Sequence, residues 1–82
     1  ALIERVAAHF SVAAKDLEGR ERTANLRDAR AVAAAVLRHE GLSVAEVGNR
    51  LGGRAKGTVP GLVARGEALI SADPQLRGRL TG

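Results

Sequence analysis

The segment Gly52-Gly53-Arg54-Ala55-Lys56-Gly57-Thr58 sets two cations, Arg54 and Lys56, among glycines in a short connection. Asn, Asp, Ser and Pro are the more usual residues of such a turn. Cations there can neutralise phosphate, and glycines let the backbone approach an anion without a clashing side chain. A second pair, Arg20 and Arg22, lies in the polar stretch from Glu18 to Ala24. Arginine suits planar, bidentate contact with phosphate and with guanine. The chemistry open to these residues is recognition of a polyanion rather than bond making.

Other chemistry finds little support. His9 and His39 stand far apart on different elements, and the chain has no cysteine. Zinc takes roughly three or four ligands, so these histidines do not make a metal site. Ser11 and Ser43 read as helix caps, because no His–carboxylate arrangement accompanies either. Gly52-Gly53 is not a nucleotide-binding loop, since no Gly-Lys-Ser/Thr follows a strand. No cofactor, metal or small-molecule substrate is expected, and no enzyme activity.

The elements that must position the cations are helical. The chain has 82 residues, enough for one small domain with little apolar material to spare for a deep cavity. Its 45% hydrophobic content is mostly Ala, Leu and Val, with Phe10 the single aromatic residue. That composition favours helices over sheet. The longest run without Asp, Glu, Lys or Arg is Val6 to Ala14, too short to cross a bilayer, so no membrane partner is expected. No secretory signal pattern is visible. The absence of cysteine is compatible with a reducing cytoplasm. The chain opens at Ala1 rather than a methionine, and residues 1–82 are read as one domain of a larger protein.

Apolar spacing predicts a first helix over Ala1 to Phe10, with Leu2, Ile3, Val6, Ala7 and Phe10 on one face. Ser11 is expected to cap a short helix from Val12 to Leu17, ended by Gly19. Asn25 is expected to cap a long central helix, with Leu26, Ala29, Val32, Ala33, Val36 and Leu37 buried. Arg27, Arg30 and Arg38 are placed outside that stripe or at its edge, and Gly41 is the stop. Ser43-Val44-Ala45-Glu46 reads as a capping box. It opens a helix of about two turns whose inner face is Val44, Val47 and Leu51. Thr58 is expected to cap the next helix, which puts Val59 and Pro60 in its first turn, where proline is tolerated. Val59, Leu62, Val63, Leu69 and Ile70 share one side of it. Gly61 and Gly66 each weaken it by about 1 kcal/mol relative to alanine; they let another backbone come close or are simply tolerated. Asp73-Pro74 opens a last short helix to Leu80. The predicted fold is all-α, a compact bundle of about six short helices.

A capped short helix, a glycine-containing turn and a second helix make the helix-turn-helix plan, in which the second helix presents its first residues to the major groove. Thirteen Lys and Arg oppose nine Asp and Glu, and eleven of the thirteen are Arg. A polyanionic partner follows from that excess. The rival reading is a solvated basic surface, and only the placement of the charges separates the two.

The stretch "LSVAEVGNRLGGRAKGTV" resembles the C-terminal DNA-binding domain of bacterial chromosomal replication initiators, the DnaA family. That family shows Leu-Ser-x-x-Glu-Ile-Gly followed by Phe-Gly-Gly-Arg-Asp-His-Thr-Thr-Val. Upstream, "LIERVAAHFSVAAKDLEGRER" is similar to the family's opening helix and basic loop, and "ARAVAAAVLRHE" to its long helix; downstream, "DPQLRGRL" is similar to its final helix. The resemblance covers nearly the whole chain and implies a Trp-repressor-like helix-turn-helix that binds double-stranded DNA. It implies that Arg22, beside Arg20, enters the minor groove, and that Arg30 and Arg38 touch phosphates. Arg54 falls on the family's Gly-Gly-Arg arginine, Thr58 on its second threonine, and Arg65 next to basic positions late in the recognition helix. The family's Asp-His-Thr, which reads bases, is here Ala55-Lys56-Gly57, and Pro60 and Gly61 also depart. A DNA site other than the initiator's usual one is therefore expected, with Lys56 the remaining long side chain of the triplet. Similar domains also stand behind transposases, so an accessory role in a transposase-like or replication-related protein of the bacterial cytoplasm and nucleoid is expected. The alternative is a helical protein-interaction adaptor that has lost base readout.

Overall fold

Alanine dominates the middle of the chain, and the consequence is a helix that neighbours can approach from every side. In the computed structural model, which describes residues 2–55 and 57–81, this helix is α2, Ala24–His39. Its residues from Ala29 to Leu37 are all buried, including Ala31, Ala34 and Ala35 off the expected stripe. Around it stand α1 (Leu2–His9), a stretch of 3-10 helix (Ala14–Glu18), α3 (Val44–Arg50), α4 (Val59–Ala72) and α5 (Pro74–Thr81). Five α-helices and one 3-10 segment thus replace the six short helices expected, and the described residues contain no strand.

One hydrophobic cluster ties the elements together. Val6 and Ala7 of α1, Leu17, the α2 stripe, Val47 and Leu51 around α3, Val59 of α4 and Leu76 of α5 all belong to it. Each fully buried Val or Leu contributes roughly 1.5–3 kcal/mol. The first-helix face holds as expected at Ile3, Val6, Ala7 and Phe10; Ala1 and the side chain of Leu2 lie outside the described residues. α4 shows its face more loosely: Val59 is buried, whereas Leu62, Val63, Leu69 and Ile70 are only partly covered.

Gly66 explains how α4 lies so near α2. A Cβ at this position would stand 2.0 Å from the Ala31 carbonyl oxygen, so the two backbones touch there and only glycine fits. Gly61 differs, because nothing lies near its missing Cβ. Of the two expected options for these glycines, close approach applies to Gly66 and tolerance to Gly61.

Several caps differ from expectation. Ser11 does not cap a helix. It has φ +59° and turns the chain out of α1, and the following segment is the 3-10 stretch, which has no side-chain cap. The cap of α2 is Thr23, whose hydroxyl accepts from the Leu26 N–H at 3.3 Å. Asn25 instead donates to the Phe10 carbonyl at 3.2 Å, tying α2 to the end of α1. Thr58 occupies the cap position of α4 with helical backbone angles and no side-chain cap bond. The Ser43–Glu46 capping box forms as read, with both reciprocal bonds present. So does the Asp73 cap, whose Oδ1 accepts from the Gln75 and Leu76 N–H groups.

Candidate nucleic-acid interface

The turn after α3 is built by one carbonyl. Gly48 O accepts from both Gly53 N–H and Arg54 N–H at 2.9 Å, which folds the chain sharply back. Gly52 makes the fold possible. Its φ is +85°, and a Cβ there would lie 2.2 Å from the Glu18 carbonyl oxygen. No other residue type tolerates both conditions. The turn is thereby seated directly on the end of the 3-10 segment, where the loop carrying Arg20 and Arg22 begins.

Seating the turn on that loop joins two stretches distant in sequence. Arg54 Nη2 donates to Gly19 O at 2.8 Å. The same carbonyl accepts from Arg30 Nη2 at 2.9 Å. Around this junction opens a concavity of about 650 Å³ lined by Arg20, Arg22, Arg27, Arg30 and Arg54, together with Thr58 at the start of α4. Among the described residues, Glu18 is the only carboxylate in its wall. Arg20, Arg22 and Arg27 are not ion-paired to any described carboxylate. Lys56 lies outside the described residues.

Arg30 is where the structure departs most from the expected arrangement. It does not stand outside the helix stripe; it is buried, at 6% exposure. Its guanidinium donates to the carbonyls of Asp16, Leu17, Gly19 and Glu21. Burial first, and then the adjacent Arg54 charge, push its pKa below the ordinary guanidinium value, while Asp16 and Glu21 act the other way. A contact with phosphate would have to strip away bonds it already makes inside the fold.

The other expected contacts are dispersed. Arg38 is exposed near the far end of α2 and donates to the Leu42 carbonyl. Arg65 is ion-paired with Asp28 at 2.9 Å. Neither lines the concavity. Conversely, sequence reasoning passed over Arg27. Either cap puts Arg27 in the opening turns of α2, next in sequence to the basic loop; that nearness was the signal, and periodicity alone set Arg27 among the outward arginines.

A short capped helix, a tight turn and a longer helix whose first residues border an arginine-lined groove define a helix-turn-helix domain. Sequence comparison agrees with the geometry: the family described as bacterial dnaA protein helix-turn-helix matches residues 1–63, and the chain belongs to that family. The chromosomal replication initiator protein DnaA of Thermomicrobium roseum is 39% identical over 77 residues, which make up 93% of this chain. The chain spans 17% of that relative's length. Membership of this family suggests DNA binding. No helix among the described residues is long and apolar enough to cross a membrane.

Proposed function

We propose that this domain binds double-stranded DNA with sequence selectivity. The observation that carries the reading is the gathering of five arginines and one carboxylate around a single groove at the start of α4. In this arrangement α4 enters the major groove with Thr58 at its leading end, and Lys56, two residues earlier in the sequence, is read as a base-selecting cation. Arg20 and Arg22 lie on the adjacent minor groove or its phosphates, and Arg27 and Arg54 face the sugar-phosphate rail. Phosphate neutralisation supplies most of the affinity, and the few groups that reach base edges supply the selectivity. Ala55 and Gly57 offer no long side chains, which leaves Lys56 alone in the triplet, so the preferred site differs from one read by an Asp-His-Thr turn.

The core shared by all the helices supports treating residues 1–82 as one domain. The identity to a replication initiator supports a replication-related parent, acting on chromosomal DNA in the cytoplasm, over a transposase-like one.

The test is duplex binding across a salt series, followed by selection from random duplexes. Affinity is expected to fall along a log–log line with a slope of about −0.9 per phosphate neutralised, and the selection to return a shared sequence. A flat salt response would overturn the proposal. If it were flat and a protein partner were captured through α3 and α4, the interaction-adaptor reading would take its place.

A further inference from the structure

We propose that Arg30 is a positioning residue. Its guanidinium, inside the domain, holds the loop that aims Arg20 and Arg22 at the groove, and it does not itself touch nucleic acid. The inference rests on the duplex-binding reading above.

Four carbonyls between Asp16 and Glu21 converge on this one side chain. They belong to the end of the 3-10 segment and the start of the basic loop. The loop that these carbonyls anchor carries Arg20 and Arg22, whose side chains are exposed. Both are on the groove. Only arginine can do this. Its rigid planar fork carries five N–H donors with no acceptor, whereas lysine offers three donors on a single nitrogen. The loop lacks a regular ladder of its own: Gly19 N–H returns to Asp16 O, and Arg30 supplies most of the remaining order.

The shared acceptor adds a second element. Gly19 O takes one bond from Arg30 and one from Arg54. Arg54 sits in the turn that leads into α4, so a single carbonyl joins the basic loop to the start of that helix. Arg30 therefore sets the loop relative to α4 as well as its internal shape. A buried charge is tolerated because its donors are satisfied by carbonyls, and the net positive charge at the groove is undiminished.

The experiment compares wild type, Arg30→Lys, Arg22→Ala and the double variant in the 82-residue chain, with a selected duplex and a scrambled one across a salt series. Arg30→Lys keeps the charge and loses the fork. It is expected to lower the preference for the selected duplex by about tenfold, as loss of a base contact does, and to change the salt slope by no more than Arg22→Ala does. Adding Arg22→Ala to Arg30→Lys is expected to cost almost nothing more, because the loop arginine is already misplaced. Effects of the two substitutions that simply multiply, or a further drop of about 0.9 in salt slope when Arg22→Ala is added to Arg30→Lys, would overturn the proposal in favour of direct phosphate contact. A second measurement needs no variant. In wild type, the Arg30 Nε–H NMR signal is expected to exchange slowly and to stay in place when duplex is added, while those of Arg22 and Arg54 move. An Arg30 signal that exchanges rapidly in the free domain, or that shifts with the other two, would also overturn it. Failure of wild type to bind any duplex would instead sink the duplex-binding reading, and the free-domain exchange rate would still decide whether Arg30 holds the loop.

Discussion

The groove and the seam between α2 and α4 treat charge in opposite ways. Along the seam, basic side chains meet carboxylates: Arg65 with Asp28 at 2.9 Å, and the His39 ring with Glu67 at 3.8 Å. At the groove, the arginines that are held at all are held by backbone carbonyls. A carboxylate fixes a guanidinium and cancels its charge. A carbonyl fixes it and leaves the charge standing. The seam gains some cohesion and presents little net field, while the groove keeps a fixed positive potential ready for an anion. Both regions contain arginines at helix surfaces, so composition alone does not distinguish them. The acceptor type does.

The largest expected effect breaks the groove at its joint. Gly52→Ala must adopt a left-handed backbone and also push its Cβ into the Glu18 carbonyl. It is expected to cost at least about 2 kcal/mol of stability, seen as a lowered denaturation midpoint, and to abolish selective duplex binding. Gly61→Ala is the matched control in open space. It is expected to leave stability unchanged or raise it by up to about 1 kcal/mol. Similar losses in both variants would show that the seat on Glu18 is unimportant.

Removing groove cations comes next. Arg22→Ala and Arg27→Ala are each expected to weaken duplex binding and to reduce the salt slope by about 0.9. Arg38→Ala, outside the concavity, is expected to leave the slope alone. If Arg38 and Arg27 proved equivalent in a salt titration, the distinction between the groove and the remaining surface would collapse.

The seam can be turned into something more like the groove. Asp28→Asn removes the carboxylate opposite Arg65 while keeping a side chain of similar shape. Exposed ion pairs contribute roughly 0–1 kcal/mol, so the loss in thermal stability should be small. Duplex affinity at low salt is expected to rise about two- to fivefold, since an acid that opposes the phosphates is gone. The gain should vanish in an Asp28→Asn, Arg65→Ala double variant, measured by the same titration.

How much of this was legible in the sequence follows from what each feature depends on. The α2 stripe was readable because burial repeats with the helical period, and the Ser43–Glu46 box because its partners are three residues apart. Arg54 with Arg20 and Arg22 was readable as cations set in short polar loops. Arg30 was misplaced because periodicity assigns every charged residue to the outside. The carbonyls that bury it come from a loop whose path no local pattern encodes. Thr23 and Asn25 are both competent caps two positions apart, and the contact between Asn25 and Phe10 that decides between them is tertiary. Thr58 was placed at the right helix start, but its helical backbone angles keep its hydroxyl from the capping role.

The smallest expected effect shows the groove's device with its sign reversed. Glu46 is a carboxylate held by backbone and hydroxyl groups instead of by a cation. The Ser43 N–H, then the Ser43 hydroxyl, hold its carboxyl below the usual carboxylate value, with Arg50 a lesser influence. A carboxyl whose folded value lies below its unfolded one stabilises the fold above the unfolded value, and that contribution is lost as pH falls through the folded one. The substitution Glu46→Gln retains an amide oxygen that can accept in the box, so only the charge is removed. This variant is expected to melt slightly below wild type at neutral pH. The gap should close as pH drops below about 4, where the free carboxyl protonates. A gap that stays constant across that range would mean the box works by geometry alone. In that case the comparison between charge-cancelling and charge-preserving partners would apply to the arginines of the groove and not to α3, the helix that leads into its turn.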